Sequence, residues 1–327
     1  MLSKKYISMK KRLFFSAAIA VVAASITAQS VPAGAINGRF SVANGKQVYF
    51  AQGNLQYQAS SNTWRFANEQ TDTIGLGNQN TSIDYTGYID VFGWGTGSNP
   101  TKVSEEDNYS VFTEWGNNPI SNGGNAAKLW RTLTKDELGY LLYGRADSSE
   151  LFATATVNGI HGLIILPDIW RLPDGCTFVP SLNKGLVWNE KSKMFANENR
   201  DNYEHNVYTS AQWASMQANG AVFLPASGYR YDADMYDTQY AGFYWFSTKA
   251  DNTYCYALYF DPEQIYPQYV EMPCAAFSVR LVQEVPGATA TNEVQMVSVQ
   301  THKQVEGSQV VIIRNGVKYN LLGSVVE

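Results

Sequence analysis

The sequence has few of the residues that build catalytic and metal centres. Its 327 residues include three histidines and three cysteines, and charged residues make up only 16%. His161, His205 and His302 have no Cys, Asp or second His at metal-ligand spacing. No Ser lies in a nucleophile-elbow context, and no Gly-rich loop precedes a helix as a phosphate site requires. We therefore expect a protein that is not an enzyme and needs no cofactor.

Long apolar runs are also scarce. One uncharged run extends from Leu13 to Ala28, after a short segment with four lysines and one arginine. This order is typical of a secretory signal peptide, here with cleavage after Ala28. An N-terminal membrane anchor is the alternative, but the run is shorter than the roughly 20 residues that span a bilayer. We predict a signal peptide at 1–28, no transmembrane segment after its removal, and a cell-surface or extracellular location, with the periplasm as the alternative.

Basic residues are few in the rest of the chain. The sequence has 24 Lys and Arg against 29 Asp and Glu, and residues 1–28 hold five of the basic and none of the acidic ones. The mature chain therefore has a formal net charge of −10. Nucleic acid is excluded as a partner, because a strongly acidic chain is repelled by phosphate.

The three cysteines cannot all pair within the chain. They are Cys176, Cys255 and Cys274. We expect Cys255 and Cys274 to be the pair that forms a disulfide if one exists, with buried thiols as the alternative.

Aromatic residues are abundant, with 8 Trp, 21 Tyr and 15 Phe. Separated by Gly- and Asn-rich segments, they favour short strands joined by tight turns. The predicted strands are 48–50, 54–57, 63–66, 154–158, 163–166, 221–224, 242–247, 254–260 and 277–282. Strands 154–158 and 163–166 are expected to form a hairpin around Gly159 to Gly162.

Two helices are predicted against this background. Thr134 and Glu137 form a capping box before an apolar face made by Leu138, Leu141 and Leu142. A second box at Thr209 and Gln212 begins a helix that ends at Asn219-Gly220. The expected fold class is α+β, with many short strands and two main helices.

The C-terminal part is predicted to be a separate segment. Residues 285–291 have the composition of a linker. In the tail at 292–327, Gln309 to Arg314 and Val317 to Leu322 are apolar strands around Asn315-Gly316, a strong hairpin signal. The tail is similar to C-terminal sorting segments of Bacteroidetes surface proteins, and a simple stabilising hairpin is the alternative.

Five motifs resemble a known family. They are Gly53 to Tyr57 with Trp64 to Ala67, Val91 to Thr96, Trp130 to Glu137, Gly220 to Ala226, and the late pair Gly242 to Trp245 and Ser278 to Val282. Their order over residues 36–284 resembles the Fibrobacter succinogenes major paralogous domain of exported Bacteroidetes proteins. The resemblance implies a C-type-lectin-like fold related to the sulfatase-modifying enzymes. Those enzymes hold copper between two cysteines, but the surroundings of Cys255 and Cys274 lack their motif.

The remaining candidates for a site are aromatic and acidic residues in loops. Rings in Gly- and Asn-rich loops can stack on sugars or anchor a protein; the candidates are Trp94, Trp115, Tyr229, Tyr231, Tyr236, Tyr240 and Tyr244. Trp64, Trp130 and Trp245 lie in regular segments and are expected in the core. Asp232, Asp234 and Asp237 are weak metal-ligand candidates, with a solvated turn as the alternative.

These observations favour an exported module that binds a glycan or a protein without catalysis. A structural component of the cell envelope or of a fimbria-like assembly is the alternative. A copper oxidoreductase of the sulfatase-modifying type comes third, because the cysteine motif is absent.

Overall fold

The structure is a computed structural model that describes residues 30–103, 109, 111–184, 186–196 and 203–287, together with the backbone of three later strands. The predicted signal peptide and most of the predicted linker lie outside the described residues.

The chain has an α+β fold made mostly of strands, as the sequence predicts. The strands of the domain are β1 (Phe40–Ala43), β2 (Lys46–Phe50), β3 (Leu55–Gln58), β4 (Thr63–Phe66), β5 (Val91–Phe92), β6 (Phe152–Val157), β7 (Ile160–Ile165), β8 (Val187–Asn189), β9 (Met194–Ala196), β10 (Val207–Tyr208), β11 (Val222–Pro225), β12 (Tyr229–Tyr231), β13 (Asp234–Tyr236), β14 (Gly242–Lys249), β15 (Cys255–Phe260), β16 (Gln264–Glu271), β17 (Phe277–Ser278) and β18 (Val282–Glu284). The helices are α1 (Lys135–Gly139) and α2 (Ser210–Ala218).

Both helices begin as the sequence predicts. The Thr134 hydroxyl accepts a hydrogen bond from the amide of Glu137, whose carboxylate accepts one from the amide of Thr134. Thr209 and Gln212 form the second capping box. Helix α1 is shorter than its apolar face suggests, because the chain from Tyr140 to Gly144 widens into a π-helical turn. Leu141 and Leu142 remain buried in that turn.

A seven-stranded sheet organises the domain. Its order is β5-β17-β14-β15-β16-β9-β8, with β14 and β17 parallel and the other pairs antiparallel. Because side chains alternate along a strand, each face of the sheet covers a different core. One core contains Tyr244 and Leu258. The other, here called the aromatic core, contains Phe243 and Trp245 together with Trp64 and Trp130, which confirms the buried positions expected for these three tryptophans.

Smaller sheets complete the domain. Strand β2 pairs with both β1 and β18, so the last strand of the domain returns to its beginning. Strands β3 and β4, which correspond to the predicted strands 54–57 and 63–66, pair as a hairpin. Strands β6 and β7 also pair, but the expected turn at Gly159 to Gly162 is wrong. The turn is Asn158-Gly159, with φ of 50° and 81°, which this residue pair favours in tight hairpins.

Within the described residues, the C-terminal segment contains three strands, where the sequence predicts two. They are β19 (Thr301–Glu306), β20 (Gln309–Arg314) and β21 (Val317–Tyr319), paired antiparallel in that order. Strand β20 has the predicted bounds, and the described part of β21 ends at Tyr319. Strand β19 has no counterpart among the predicted strands.

Candidate binding cleft

A cleft of about 310 Å³ lies on the aromatic-core face of the seven-stranded sheet. Strands β14, β15, β16 and β17 provide its floor, and the β12–β13 hairpin lies beside it. Six aromatic side chains line the cleft: Tyr229, Phe243, Tyr259, Tyr266, Tyr269 and Phe277. Asp237, Gln264 and Glu271 add polar groups. Ligand sites in proteins are commonly about 300–1,000 Å³ and combine aromatic walls with a few polar groups, so this cleft has the size of a site for a small ligand.

Phe243 is the centre of the aromatic floor. Its ring centroid lies 4.9 Å from those of Tyr229, Tyr259 and Phe277, and 6.0 Å from that of Tyr269. Phe243 itself is 4% exposed, whereas the three tyrosines are half-buried. The buried ring therefore fixes the positions of tyrosines that remain open to solvent.

A register shift brings two tyrosines of β16 into the cleft. Tyr266 and Tyr269 are three positions apart, so a regular strand would turn them to opposite faces. Strand β15 pairs Tyr259 with Tyr266 and Ala257 with Tyr269, which leaves one extra residue on β16 between these pairs. One extra residue on one strand of a pair defines a β-bulge. Pro267, which has no amide hydrogen to donate, lies inside this bulge. Both tyrosines consequently line the same face.

Carboxylates hold two of the phenols in place. The Tyr269 hydroxyl donates to Glu271 Oε2 over 2.7 Å, and the Tyr259 hydroxyl donates to Asp261 Oδ2. Burial raises the pKa of both phenols, and the neighbouring carboxylate raises each of them further. Both tyrosines therefore stay neutral and act as hydrogen-bond donors at physiological pH.

Asp261 has a structural role as well. Its Oδ1 accepts the backbone amides of Glu263 and Gln264, and so closes the turn between β15 and β16. Its carboxylate is occupied by the turn and by Tyr259.

The β12–β13 hairpin supplies the remaining wall. Tyr229 stacks on Tyr236 with centroids 5.3 Å apart, and Asp237 follows directly after β13. Gly228 precedes the hairpin with a φ of 69°. A Cβ at Gly228 would lie 2.1 Å from the carbonyl oxygen of Tyr236, so only glycine allows the two ends of the hairpin to approach this closely.

Three of the predicted ligand-binding aromatics are buried, and the prediction is wrong for them. Trp94 and Trp115 are 3% and 0% exposed, and both pack against Phe112 in the aromatic core. Trp94 Nε1 donates to the carbonyl oxygen of Phe246 over 2.8 Å. Tyr244 is buried on the other face of the sheet and donates to the carbonyl of Pro225. Tyr244 lies within strand β14 rather than in a loop, and Trp94 and Trp115 lie in segments whose rings pack into the core, which composition did not reveal.

The other predicted aromatics lie on or near the hairpin. Tyr229 lines the cleft, Tyr231 is half-buried on the same strand, and Tyr236 and Tyr240 are 44% and 48% exposed. The predicted site residues do not include the three cleft tyrosines of β15 and β16, which are Tyr259, Tyr266 and Tyr269. Alternation along β15 could have identified Tyr259, but the bulge hides the pattern in β16.

The weak metal-ligand candidates do not come together, and the possible disulfide is not formed. Within the described residues, no three His, Cys, Asp or Glu side chains come together as metal ligands. Asp232 and Asp234 lie at the exposed tip of the β12–β13 hairpin, and Asp237 faces the cleft.

Cys255 and Cys274 are thiols rather than a disulfide. Cys255 is buried in the aromatic core, whereas Cys274 lies in the turn from Met272 to Ala275. Burial raises the pKa of the Cys255 thiol to about 12, which makes it a poor thiolate ligand or nucleophile at neutral pH.

No family model, curated protein or solved structure matches this chain at a significant level. The part of the chain that the structure describes also contains no helix with the length and apolarity needed to cross a membrane.

Proposed function

We propose that this chain is an exported, non-catalytic protein that binds a glycan in the tyrosine-lined cleft. The observation that carries the proposal is the arrangement of Tyr229, Tyr259 and Tyr269 around the buried ring of Phe243. Aromatic rings can stack on the C–H faces of sugars, and the phenols and carboxylates beside them can bind hydroxyl groups.

The size of the cleft favours a glycan over a protein surface. A volume of about 310 Å³ accommodates a small ligand or the end of a chain of sugars. Stable protein interfaces bury about 800 Å² on each partner, mostly over flatter surfaces. A protein partner is therefore an outcome for the experiment to reveal rather than the proposal.

The fold and family belong to the same proposal. We propose a C-type-lectin-like domain of the Fibrobacter succinogenes major paralogous type. The five motifs in order and the α+β architecture with two short helices support this assignment. Function does not follow from fold alone, so the cleft rather than the resemblance supports the binding role.

The signal-like N-terminus supports the export step of the proposal. Protease treatment of intact cells tests it: degradation is expected for a surface location. Protection until the outer membrane is opened would instead place the protein in the periplasm, and protection until the whole cell is lysed would overturn export.

A glycan array tests the binding role. The wild-type protein is expected to bind a subset of glycans, and the Tyr269→Ala variant is expected to lose that binding. Tyr256→Ala is the matched control, because Tyr256 lies in the neighbouring strand and packs against the opposite core. A blank array together with a single protein recovered from surface extracts would replace the glycan by a protein partner.

A further inference from the structure

We propose that the cleft recognises a positively charged ligand group, and that its glycan carries an unsubstituted amine, as in a glucosamine unit. This inference rests on the proposed glycan-binding function, because it specifies the ligand of the same cleft.

The first argument is the charge of the cleft lining. Asp237 and Glu271 both line the cleft, one from the hairpin and one from the end of β16. The lining residues include no Lys, Arg or His. Across the sheet, Glu271 pairs with Cys255, and Cys255 pairs with Lys249. This lysine is therefore two strands away from Glu271. Among the ion pairs between described residues, none includes Asp237 or Glu271.

The second argument is that both carboxylates raise the pKa of the same two phenols. Burial raises the pKa of Tyr229, and the charges of Asp237 and Glu271 raise it further. The pKa of Tyr269 is raised by burial, by its hydrogen bond to Glu271 and by the charge of Asp237. The two carboxylates therefore lie close enough to the two tyrosines to form one negatively charged end of the cleft.

The third argument is the clustering of rings. The centroids of Tyr259 and Tyr269 are 5.3 Å apart, and those of Tyr266 and Tyr269 are 6.0 Å apart. The negative face of an aromatic ring attracts a cation, and groups of aromatic residues commonly recognise ammonium groups in this way. Carboxylates beside such rings strengthen the same preference, whereas an anionic sugar would be repelled by both.

Isothermal titration with four small ligands tests the inference. Glucosamine carries the amine, N-acetylglucosamine and glucose are neutral, and ethanolamine carries an amine without a sugar ring. We expect glucosamine to bind the wild-type protein about tenfold more tightly than the two neutral sugars, as the strength of cation–π and carboxylate contacts allows. We expect that ratio to fall as salt is added, because salt screens exposed charges.

Two variants and one control locate the effect. Glu271→Gln is expected to reduce the preference for glucosamine over glucose to about twofold, because the amide removes the negative charge but keeps a hydrogen-bonding side chain. Asp237→Asn is expected to act in the same direction. It keeps the test valid if Glu271→Gln fails to fold, since Asp237 is exposed. Asp174→Asn removes an exposed carboxylate that does not line the cleft and is expected to leave the preference intact.

The outcomes separate the two proposals. Equal affinity for glucosamine and glucose would overturn the amine inference and leave glycan binding standing. Ethanolamine binding as tightly as glucosamine, with no binding of glucose, would confirm the cation site and contradict the glycan. No binding of any of the four ligands would overturn both.

Discussion

The phenol of Tyr269 donates a hydrogen bond to Glu271 Oε2 over 2.7 Å, between two residues on the same face of β16. The pair links an aromatic wall of the cleft to one of its two carboxylates. It also sets the direction of the Glu271 side chain, whose other oxygen accepts the amide of Met272.

The Tyr269–Glu271 pair predicts a specific effect of Tyr269→Phe. The change keeps the ring but releases Glu271, so we expect weaker glycan binding with a loss of only about 1 kcal/mol in the free energy of unfolding. Titration with glucosamine and urea unfolding measure the two effects. Tyr256→Phe, on the opposite face of the sheet, is the control and is expected to leave binding unchanged. Unaltered binding by Tyr269→Phe would show that the hydroxyl has no part in it.

Asp90 predicts a pH dependence of stability. It is fully buried and accepts hydrogen bonds from the amide of Ile74 and from Asn78 Nδ2. Burial raises its pKa from 3.8 to about 6, although those hydrogen bonds oppose the rise. Between pH 3.8 and about 6, Asp90 is protonated in the folded chain but has released its proton in the unfolded chain. The stabilising contribution is therefore complete below 3.8 and is lost as the pH rises through about 6.

Urea unfolding between pH 4 and 7 measures this effect. A shift of about two pKa units corresponds to roughly 3 kcal/mol, so wild-type stability should fall by about that amount relative to Asp90→Asn, which cannot ionise. Asp174→Asn is the control and should run parallel to the wild type. Parallel curves for the wild type and Asp90→Asn would show that Asp90 titrates normally.

The close approach at Gly228 predicts that Gly228→Ala disrupts the hairpin beside the cleft. A left-handed φ and a contact with the Tyr236 carbonyl both oppose a side chain there, so we expect a loss of more than about 2 kcal/mol in stability together with loss of binding. Gly159→Ala is the matched control, because Gly159 has a φ of 81° but no neighbouring atom within 4 Å. It should cost about 1 kcal/mol and leave binding intact. Equal costs for the two variants would contradict the steric argument.

Because the three cysteines are thiols, we can predict how many of them alkylation modifies, and mass spectrometry measures that number. Alkylation of the unfolded protein without a reductant should modify all three cysteines, whereas a disulfide between Cys255 and Cys274 would leave one modified. In the native protein Cys255 should react slowly, because it is buried and its thiol pKa is raised to about 12. Rapid native modification of Cys255 would contradict its burial and reopen the oxidoreductase alternative.

Local signals in the sequence predicted the helix starts and several strands. A capping box needs only residues three positions apart, so Thr134 with Glu137 and Thr209 with Gln212 were readable directly. Both strands of the β3–β4 hairpin were also predicted, because each is a short segment that contains an aromatic residue.

The residues of the cleft could not be predicted from such local signals. Pro267 interrupts the alternation of β16, and the bulge that it accompanies turns Tyr266 and Tyr269 to one face. Trp94 and Trp115 have loop-like neighbours, yet their burial depends on the distant Phe112 and Phe246 packing around them. Pairing register and loop burial are set by contacts far apart in the chain, which neither composition nor short motifs encode.

The most direct test of glycan binding in the cleft is an NMR titration of the tyrosine-labelled protein with glucosamine and glucose. We predict that the ring signals of Tyr229, Tyr259, Tyr266 and Tyr269 shift together with one binding curve, while those of Tyr143 and Tyr256 on the opposite side of the sheet do not move. Shifts confined to tyrosines outside the cleft, or no shift at saturating sugar, would contradict the account.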